Sequence, residues 1–471
     1  MTKKKHGSLS YHLVGLGGSG MSALAQLLKA RGHTVSGSDR SLDRGQNKTL
    51  FEGLSRLGIN CLPQNGSGLE NGIDIAVVSS AIEETNPDIR MARAKAIPIV
   101  NRAALLAVLF NQVRGVGIAG TNGKTTVTGM VGWILDRAGL DPTVVAGGMM
   151  KNYSDSTVLG NTRLGRSDIM TIEADESDGS IVYYKPHVGV VMNVTKDHKP
   201  INELCRLFSI FAENSSKLVL GADCPMACKM GTSSKETATF GLEKGADFRV
   251  TDTVFKEWSS TFRVRDVHFE LNLPGRHNVL NALAAVATCH HLSVPLGVAA
   301  EALRDYRGIR RRLDLVGEVR DVKVIDDFAH NPQKIRATIE TVRPISSRIL
   351  VIYQPHGFTP TRFLKEELVQ TFSEILSGND MLFMPEIFYA GGTTKKDISS
   401  RDIVEALISK RARAEFIPER PEIIERVLLE ARPGDVVLVM GARDDTLTDF
   451  CHNIIDSLAD VKAKAPPARH D

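Results

Sequence analysis

No run of about 18 apolar residues occurs in the 471-residue sequence, which excludes a membrane-spanning helix. The basic start Lys3-Lys4-Lys5 leads into a strand-like segment rather than a signal core with a cleavage site, so no export signal is read and a cytoplasmic location is expected. An excess of charge of one sign is also missing: 58 Lys and Arg stand against 55 Asp and Glu, a formal net charge of +3. The whole chain therefore exerts no strong pull on nucleic acid or anionic lipid, and any anionic ligand must be held by a local site. Only six cysteines occur, at 61, 205, 224, 228, 289 and 451. The pair Cys224/Cys228 has no second Cys or His pair at zinc-site spacing, and buried free thiols are expected there. Internal repeats are absent, and the one biased segment is the Ala/Pro/charge-rich tail after Lys462, which is expected to fray.

What is present is the balance of a globular protein, 24% charged and 42% hydrophobic residues. At about 100 to 200 residues per domain the length predicts about three domains. From Tyr11 an apolar strand (YHLVGLG) passes through a glycine turn into a helix with Met21, Leu24, Ala25 and Leu28 on one face. Further strand signals at 34–37, 73–79 and 97–100, and a helix-compatible stretch at 87–96, complete a small parallel α/β domain over 1–112. A second unit opens with the strand GVGIAG from Gly115 and a helix over 123–138, whose Val127, Met130, Val131, Ile134 and Leu135 form one apolar face. Strands at 169–172, 188–193 and 218–221 and a long helix at 278–291 extend this domain over 113–308. Beyond Arg310-Arg311-Arg312, strands at 323–326, 349–353, 380–385 and 435–440 and helices at 331–342 and 362–376 define a third α/β domain, 309–471.

Three places carry chemistry. Gly120-Thr121-Asn122-Gly123-Lys124-Thr125-Thr126 lies between a buried strand and a helix, where glycines let backbone N–H groups converge on phosphate and the helix N-terminus adds partial positive charge. Lys124 would neutralise the β- and γ-phosphates and Thr125 would reach Mg²⁺. The strict pattern wants glycine five residues before Gly123, and Ile118 stands there. Downstream, Glu173, Asp175, Glu176 and Asp178 follow the strand at 169–172, a place where a hard cation beside phosphate finds its carboxylates. His198 ends a similar segment, NVTKDH. Finally, Gly15, Gly17, Gly18 and Gly20, with Asp39 nineteen residues later, mimic a dinucleotide fingerprint. NAD, a nucleoside-diphosphate substrate and a turn that serves packing alone are all open readings of that cluster.

In order and spacing, the segments HLVGLGGSGMSALAQLL, VVSSAIEETNPDI, IPIVNRAALLA, AGTNGKTT, EADESD, NVTKDH, GRHNVLNALAAV, RRLDLVGE, IDDFAHNP, YQPHGFTPTR and FYAGG closely resemble the Mur ligases of bacterial cell-wall synthesis, and among them the alanine-adding branch. The resemblance covers nearly the whole chain. It implies a Rossmann-like UDP-sugar domain, a central P-loop ATPase domain and a C-terminal Rossmann-like domain. It also implies ATP and Mg²⁺ as cofactors, UDP-N-acetylmuramate and an amino acid as partners, and a monomer or weak dimer. Lys124 would hold ATP phosphates, and Thr125, Glu173 and His198 would organise Mg²⁺. Asn278 and Asn281 would lie on the adenine side. Arg312 and Asp327 resemble residues brought to the γ-phosphate by domain closure. Gly17, Gly18, Ser79, Ser80 and Ala81 look like the UDP-sugar cradle, with His330 and Arg362 also on the substrate side. The implied reaction activates the muramoyl carboxylate as an acyl phosphate, which the amine then attacks.

The sequence departs from the alanine-adding pattern at Asn122 and Asn331, where histidine is usual, at Gly357 and Pro360, where arginine is usual, and in the charged segment Gly441-Ala442-Arg443-Asp444. These changes gather in the third domain and leave the acceptor open to another amino acid or a peptide. Three rivals follow: a ligase that reattaches a recovered peptide, a dehydrogenase built on the first glycine cluster, and a catalytically silent UDP-sugar binder. Phe388 to Gly392 favours the single amino acid over the peptide, and the retained Lys124, Glu173 and His198 argue against the silent binder.

Overall fold

The computed structural model describes residues 7–70, 72–79, 82–154, 159–196, 199–231, 235–389 and 394–460. The C-terminal tail, and Ser80, Ala81 and His198 among the expected site residues, lie outside them. The chain forms two compact units, Met1–Ile309 and Arg310–Asp471. No helix of the described residues is long and apolar enough to cross a membrane.

The first unit holds two sheets. One is five-stranded and parallel, ordered Asn60–Leu62, Thr34–Ser38, Ser10–Val14, Ile75–Val78, Ile99–Asn101. Its central strand, Ser10–Val14, is buried throughout, as expected where helices cover both faces of a parallel sheet. Strand order reverses beside that strand, so its C-terminal end opens a crevice toward the neighbouring end at Val78.

The second sheet has ten strands, with Arg114–Ala119 flanked in parallel by Val188–Val191 and Ile169–Glu173. Helix Lys124–Arg137 packs its Val127, Met130, Val131, Ile134 and Leu135 with no measurable exposure, and each such burial stabilises by roughly 1.5–3 kcal/mol. Two interior glycines let this helix approach so closely. A Cβ on Gly132 would sit 2.6 Å from Val144 and one on Gly129 2.5 Å from the Tyr306 hydroxyl, so Gly132→Ala would force helix and strand apart. At the far edge, Phe248–Phe255, Ser260–Val264 and Val267–Leu271 form an antiparallel meander that periodicity did not mark.

The second unit has a six-stranded sheet, ordered Asp314–Val319, Val322–Asp327, Asp435–Gly441, Arg348–Gln354, Met381–Met384, Ala414–Phe416. All neighbours are parallel except the first pair. The helix expected over 362–376 begins four residues earlier, at Phe358. Pro360 stands in its first turn, where the missing N–H costs no intrahelical bond.

Candidate active site

Strand Arg114–Ala119 ends in Gly120 at φ 131°, and Gly123, at φ 91°, caps the helix that starts at Lys124. A Cβ on Gly120 would lie 2.8 Å from Met192, and one on Gly123 2.5 Å from Asn281 Oδ1. Glycine is therefore required at both ends of the loop by backbone geometry and by crowding. The exit of strand Val188–Val191 fixes the loop from one side. Asn193 accepts from the Thr121 N–H at 3.1 Å through its carbonyl and from the Asn122 N–H at 2.9 Å through Oδ1. Thr121 Oγ1 accepts from the Thr195 N–H at 3.0 Å and donates to the Thr195 carbonyl at 3.1 Å, and Asn122 Nδ2 donates to Thr195 Oγ1 at 3.2 Å. The result is a rigid cradle at the N-terminus of a 14-residue helix, where the helix dipole favours an anion.

The Lys124 ammonium donates to the Gly120 carbonyl at 2.7 Å and to Glu176 at 2.8 Å. Burial opposes its charge, but Glu176, Asp175 and Glu173 outweigh that effect and hold its pKa above that of an ordinary lysine. Thr125 Oγ1 donates to Glu173 Oε2 at 2.8 Å, and the Gly147 N–H reaches the same oxygen at 3.0 Å. A Cβ on Gly147 would come within 2.3 Å of that carboxylate, so the glycine leaves an oxygen-lined recess. One carboxylate and one hydroxyl beside a phosphate cradle are the hard donors Mg²⁺ takes when phosphates and water complete its shell. No cluster of three or more His, Cys, Asp or Glu suited to a metal occurs among the described residues. The acidic segment thus divides its labour: Glu173 and Glu176 face the loop, whereas Asp175 and Asp178 accept local bonds from Ser177 and Ser180. Thr126 turns into the helix, its carbonyl accepting from Tyr306 at 3.4 Å.

Helix Arg276–His290 brings both expected asparagines to the loop. Asn281 Oδ1 stands over Gly123, and its Nδ2 donates to Asn278 Oδ1 at 3.3 Å. Asn278 Nδ2 in turn donates to the Pro274 carbonyl at 2.8 Å.

At the first sheet, Gly15 adopts φ 85° and Gly18 caps helix Ser19–Ala30. Gly17 and Gly18 follow the central strand and Ser79 follows its neighbour Ile75–Val78, so they share the crevice end. The Asp39 carboxylate is already occupied there: the Gly17 N–H donates to Oδ2 at 2.8 Å, and Ser41 donates to Oδ1 through its N–H at 2.8 Å and its hydroxyl at 2.6 Å. It fastens the loop and caps the one-turn helix Arg40–Asp43. Arg102, which patterning did not single out, stands against Gly20, its guanidinium 2.7 Å from where a Cβ would be. A cation beside a glycine-rich helix N-terminus suits a diphosphate. Gly147 was likewise missed, and although Glu176 was read as one of the acidic run, only the packed fold shows that it is the carboxylate of that run to which Lys124 donates.

In the second unit, Arg312 and Asp327 come together. The Arg312 guanidinium lies 4.5 Å from the Phe328 ring centroid, and Asp327 accepts from the Leu313 N–H at 2.7 Å, the Ala329 N–H at 2.9 Å and Thr338 at 3.0 Å. His330 packs edge-on against Phe328 and His356, with its Nδ1 2.9 Å from the Phe328 carbonyl. Arg362 is paired with Asp397 and donates to the Lys395 carbonyl at 3.1 Å. Asn331 caps helix Pro332–Val342 by accepting from the Lys334 N–H at 3.0 Å.

The expectation of buried thiols fails in part. Cys228 is exposed and Cys224 half-buried, because helix Pro225–Cys228 is one short turn at the surface that does not bury its second cysteine. Cys224 Sγ accepts from the Val194 N–H at 3.3 Å.

A glycine loop at a helix N-terminus, with lysine and hydroxyl on the helix's first turn and a carboxylate at the adjoining strand end, is an arrangement suited to phosphate in α/β enzymes. Residues 10–114 match the Mur ligase family, catalytic domain, residues 118–289 the Mur ligase middle domain, and residues 311–443 the Mur ligase, glutamate ligase domain. A relative from Sorangium cellulosum named UDP-N-acetylmuramate–L-alanine ligase is 35% identical, covering 97% of each chain. The crystal structure of a UDP-N-acetylmuramate–alanine ligase from Thermotoga maritima is similar with a TM-score of 0.79 at 26% identity, over 95% of this chain and 98% of that one. A murein peptide ligase from Psychrobacter arcticus shares the fold, with a TM-score of 0.71 at 22% identity over 96% and 99% of the two chains. The chain belongs to the Mur ligase family, and it is a ligase.

Proposed function

We propose that this chain uses ATP and Mg²⁺ to join L-alanine to the carboxylate of UDP-N-acetylmuramate in the cytoplasm. The observation that carries this reading is the grouping of Lys124, Thr125 and Glu173 at one helix N-terminus, in a chain whose relatives at 33–35% identity over nearly its full length are named UDP-N-acetylmuramate–L-alanine ligases. The UDP-sugar would lie in the first sheet's crevice, on Gly17, Gly18, Ser79, Ser80 and Ala81, with Arg102 near its diphosphate. The relatives' names favour a UDP-sugar over the dinucleotide reading of the glycine cluster. We assign the sugar to a domain over 1–112, ATP to 113–308 and the acceptor side to 309–471, the last with Arg312, Asp327, His330 and Arg362.

A carboxylate is a poor acyl donor, so it must first gain a leaving group. The muramoyl carboxylate oxygen attacks the γ-phosphorus, the bond to ADP breaks, and an acyl phosphate results. The alanine amine then attacks the carbonyl carbon, phosphate leaves and the amine's proton is lost. Lys124 and the loop N–H groups would hold the β- and γ-oxygens and stabilise the charge that spreads over them in transfer. Thr125, Glu173 and His198 would hold Mg²⁺, which supplies charge neutralisation. Asn278 and Asn281 would orient the adenosine.

The test is phosphate release by the purified protein given ATP, UDP-N-acetylmuramate and each of the twenty amino acids or the recycled tripeptide. Release is expected with L-alanine and only when the sugar is present. A folded, ATP-binding sample that turns over with no acceptor would sink the ligase reading, and turnover with the tripeptide alone would replace alanine by the peptide.

A further inference from the structure

Residues 159–161 lead into the short strand Thr162–Arg163 of the second sheet, yet they plug into the first. Leu159 is buried against helix Lys48–Arg56, where a Cβ on Gly53 would come within 2.9 Å of it. Asn161 is 2% exposed, and its amide is fully used on helix Ser19–Ala30. Nδ2 donates to the Ser19 carbonyl at 3.0 Å and to Ser22 Oγ at 2.9 Å, while Oδ1 accepts from Gln26 Nε2 at 2.9 Å. Ser19 is the first residue of the helix that Gly18 caps. On its other side the Asn161 carbonyl accepts from the Ala146 N–H at 3.0 Å. The next residue, Gly147, donates to the Glu173 oxygen that also takes the Thr125 hydroxyl. One asparagine thus links the helix start at the glycine-loop crevice to the carboxylate beside the phosphate loop through hydrogen bonds and one peptide unit. A satisfied buried amide of this kind fixes a single arrangement, because moving either side leaves donors or acceptors without partners.

We infer that Asn161 is a positioning residue that couples occupancy of the first sheet's crevice to occupancy of the phosphate loop. This rests on the ligand assignments above. The coupling is a free energy shared by the two binding events, so it is read from affinities and is reciprocal. Isothermal titration of UDP-N-acetylmuramate into the intact protein, with and without Mg²⁺ and a non-hydrolysable ATP analogue, gives the ratio of the two Kd values. The wild type is expected to show a ratio of about tenfold, within the ordinary range of coupling. Asn161→Ala should bind each ligand alone within about threefold of wild type while the ratio collapses toward one. Gln26→Met keeps the side-chain volume, removes one of the three amide bonds and should lower the ratio partway; it also decides the matter if Asn161→Ala does not fold. A wild-type ratio of one, a folded variant that keeps the wild-type ratio, or a variant that loses single-ligand affinity as well would each overturn the coupling role. A wild type that binds neither ligand would instead overturn the ligand assignments, and the inference with them.

Discussion

The glycine-loop end of the second sheet and the corresponding end of the third sheet are built from the same parts, parallel strands feeding helices, yet they surround their paired charges differently. Around the loop, glycines at 120, 123 and 147 stand where a Cβ would crowd its neighbours, and Lys124 sits among three carboxylates. At the third sheet, charges are spent on one another. Arg362 pairs with Asp397, and the fully buried Asp444 takes Arg420, which also donates to Gln354 Oε1 at 2.7 Å and Thr446 at 2.8 Å. Gly357, where alanine-adding enzymes usually carry arginine, adopts φ 68° with ψ 133° as the cap of helix Phe358–Ile375. A side chain is strained in that conformation. Glycine at this position is therefore tied to a backbone turn, and the difference teaches that Lys124 is held by carboxylates at a glycine-lined helix N-terminus, whereas Arg420 is held by the buried Asp444 away from any such opening.

The comparison breaks most directly at Lys124. Lys124→Ala should lower turnover by at least about 10³-fold and leave UDP-N-acetylmuramate affinity nearly unchanged, as measured by phosphate release and calorimetry; loss of sugar binding as well would refute separate sites. Glu173→Gln should cost about 10–100-fold and raise the Mg²⁺ concentration needed for half-maximal rate. A rate loss with an unmoved Mg²⁺ dependence would make Glu173 a hydrogen-bond anchor only. In the third sheet, Asp444→Asn leaves the Arg420 guanidinium without its counter-charge and should lower unfolding stability by roughly 3 kcal/mol, at the low end for a buried pair because Arg420 is partly exposed. If denaturant midpoints do not move, the inward pairing contributes nothing. Gly357→Arg should cost about 1–3 kcal/mol of backbone strain, seen as a lower Tm. A variant as stable as wild type would show that the turn tolerates the arginine.

The smallest effect concerns Asp88, buried beneath the first sheet's crevice. Burial raises its pKa, but His12, Ser38 and the Gly66 N–H, the last at 2.6 Å, outweigh it and leave the value below that of an ordinary aspartate. A depressed folded value contributes stability above the unfolded pKa of about 3.9, and that contribution is lost as pH falls through the folded value. Urea midpoints between pH 6 and 3 should therefore drop in the wild type and drop less steeply in Asp88→Asn, where the other carboxylates with lowered values remain, and parallel curves would remove Asp88 from the acid response.

Much of this was legible in residue order. The strand-loop-helix context of Gly120 to Thr126, the apolar face from Val127 to Leu135 and the carboxylates after the strand at 169–172 all depend on neighbours a few positions away, where period and turn chemistry act. The antiparallel meander over 248–271 was not legible, because short strands at a sheet edge carry weak patterns. The exposed Cys228 was misread since residue type alone does not say that its helix ends after one turn.

The sequence by itself determined that a glycine loop joins a buried strand to a helix at Lys124, and it placed the segments whose order marks the family. Only the tertiary structure decided that Glu176 rather than Asp175 meets Lys124, that Asp39 is already engaged, that Arg102 stands at the glycine loop, and that Asn161 ties one sheet to the next. The physical reason is range. Loop and helix conformation follow from adjacent residues, whereas which charge meets which, and which amide finds its partners across 135 residues between Gln26 and Asn161, is settled only when distant elements pack and buried polar groups must be satisfied.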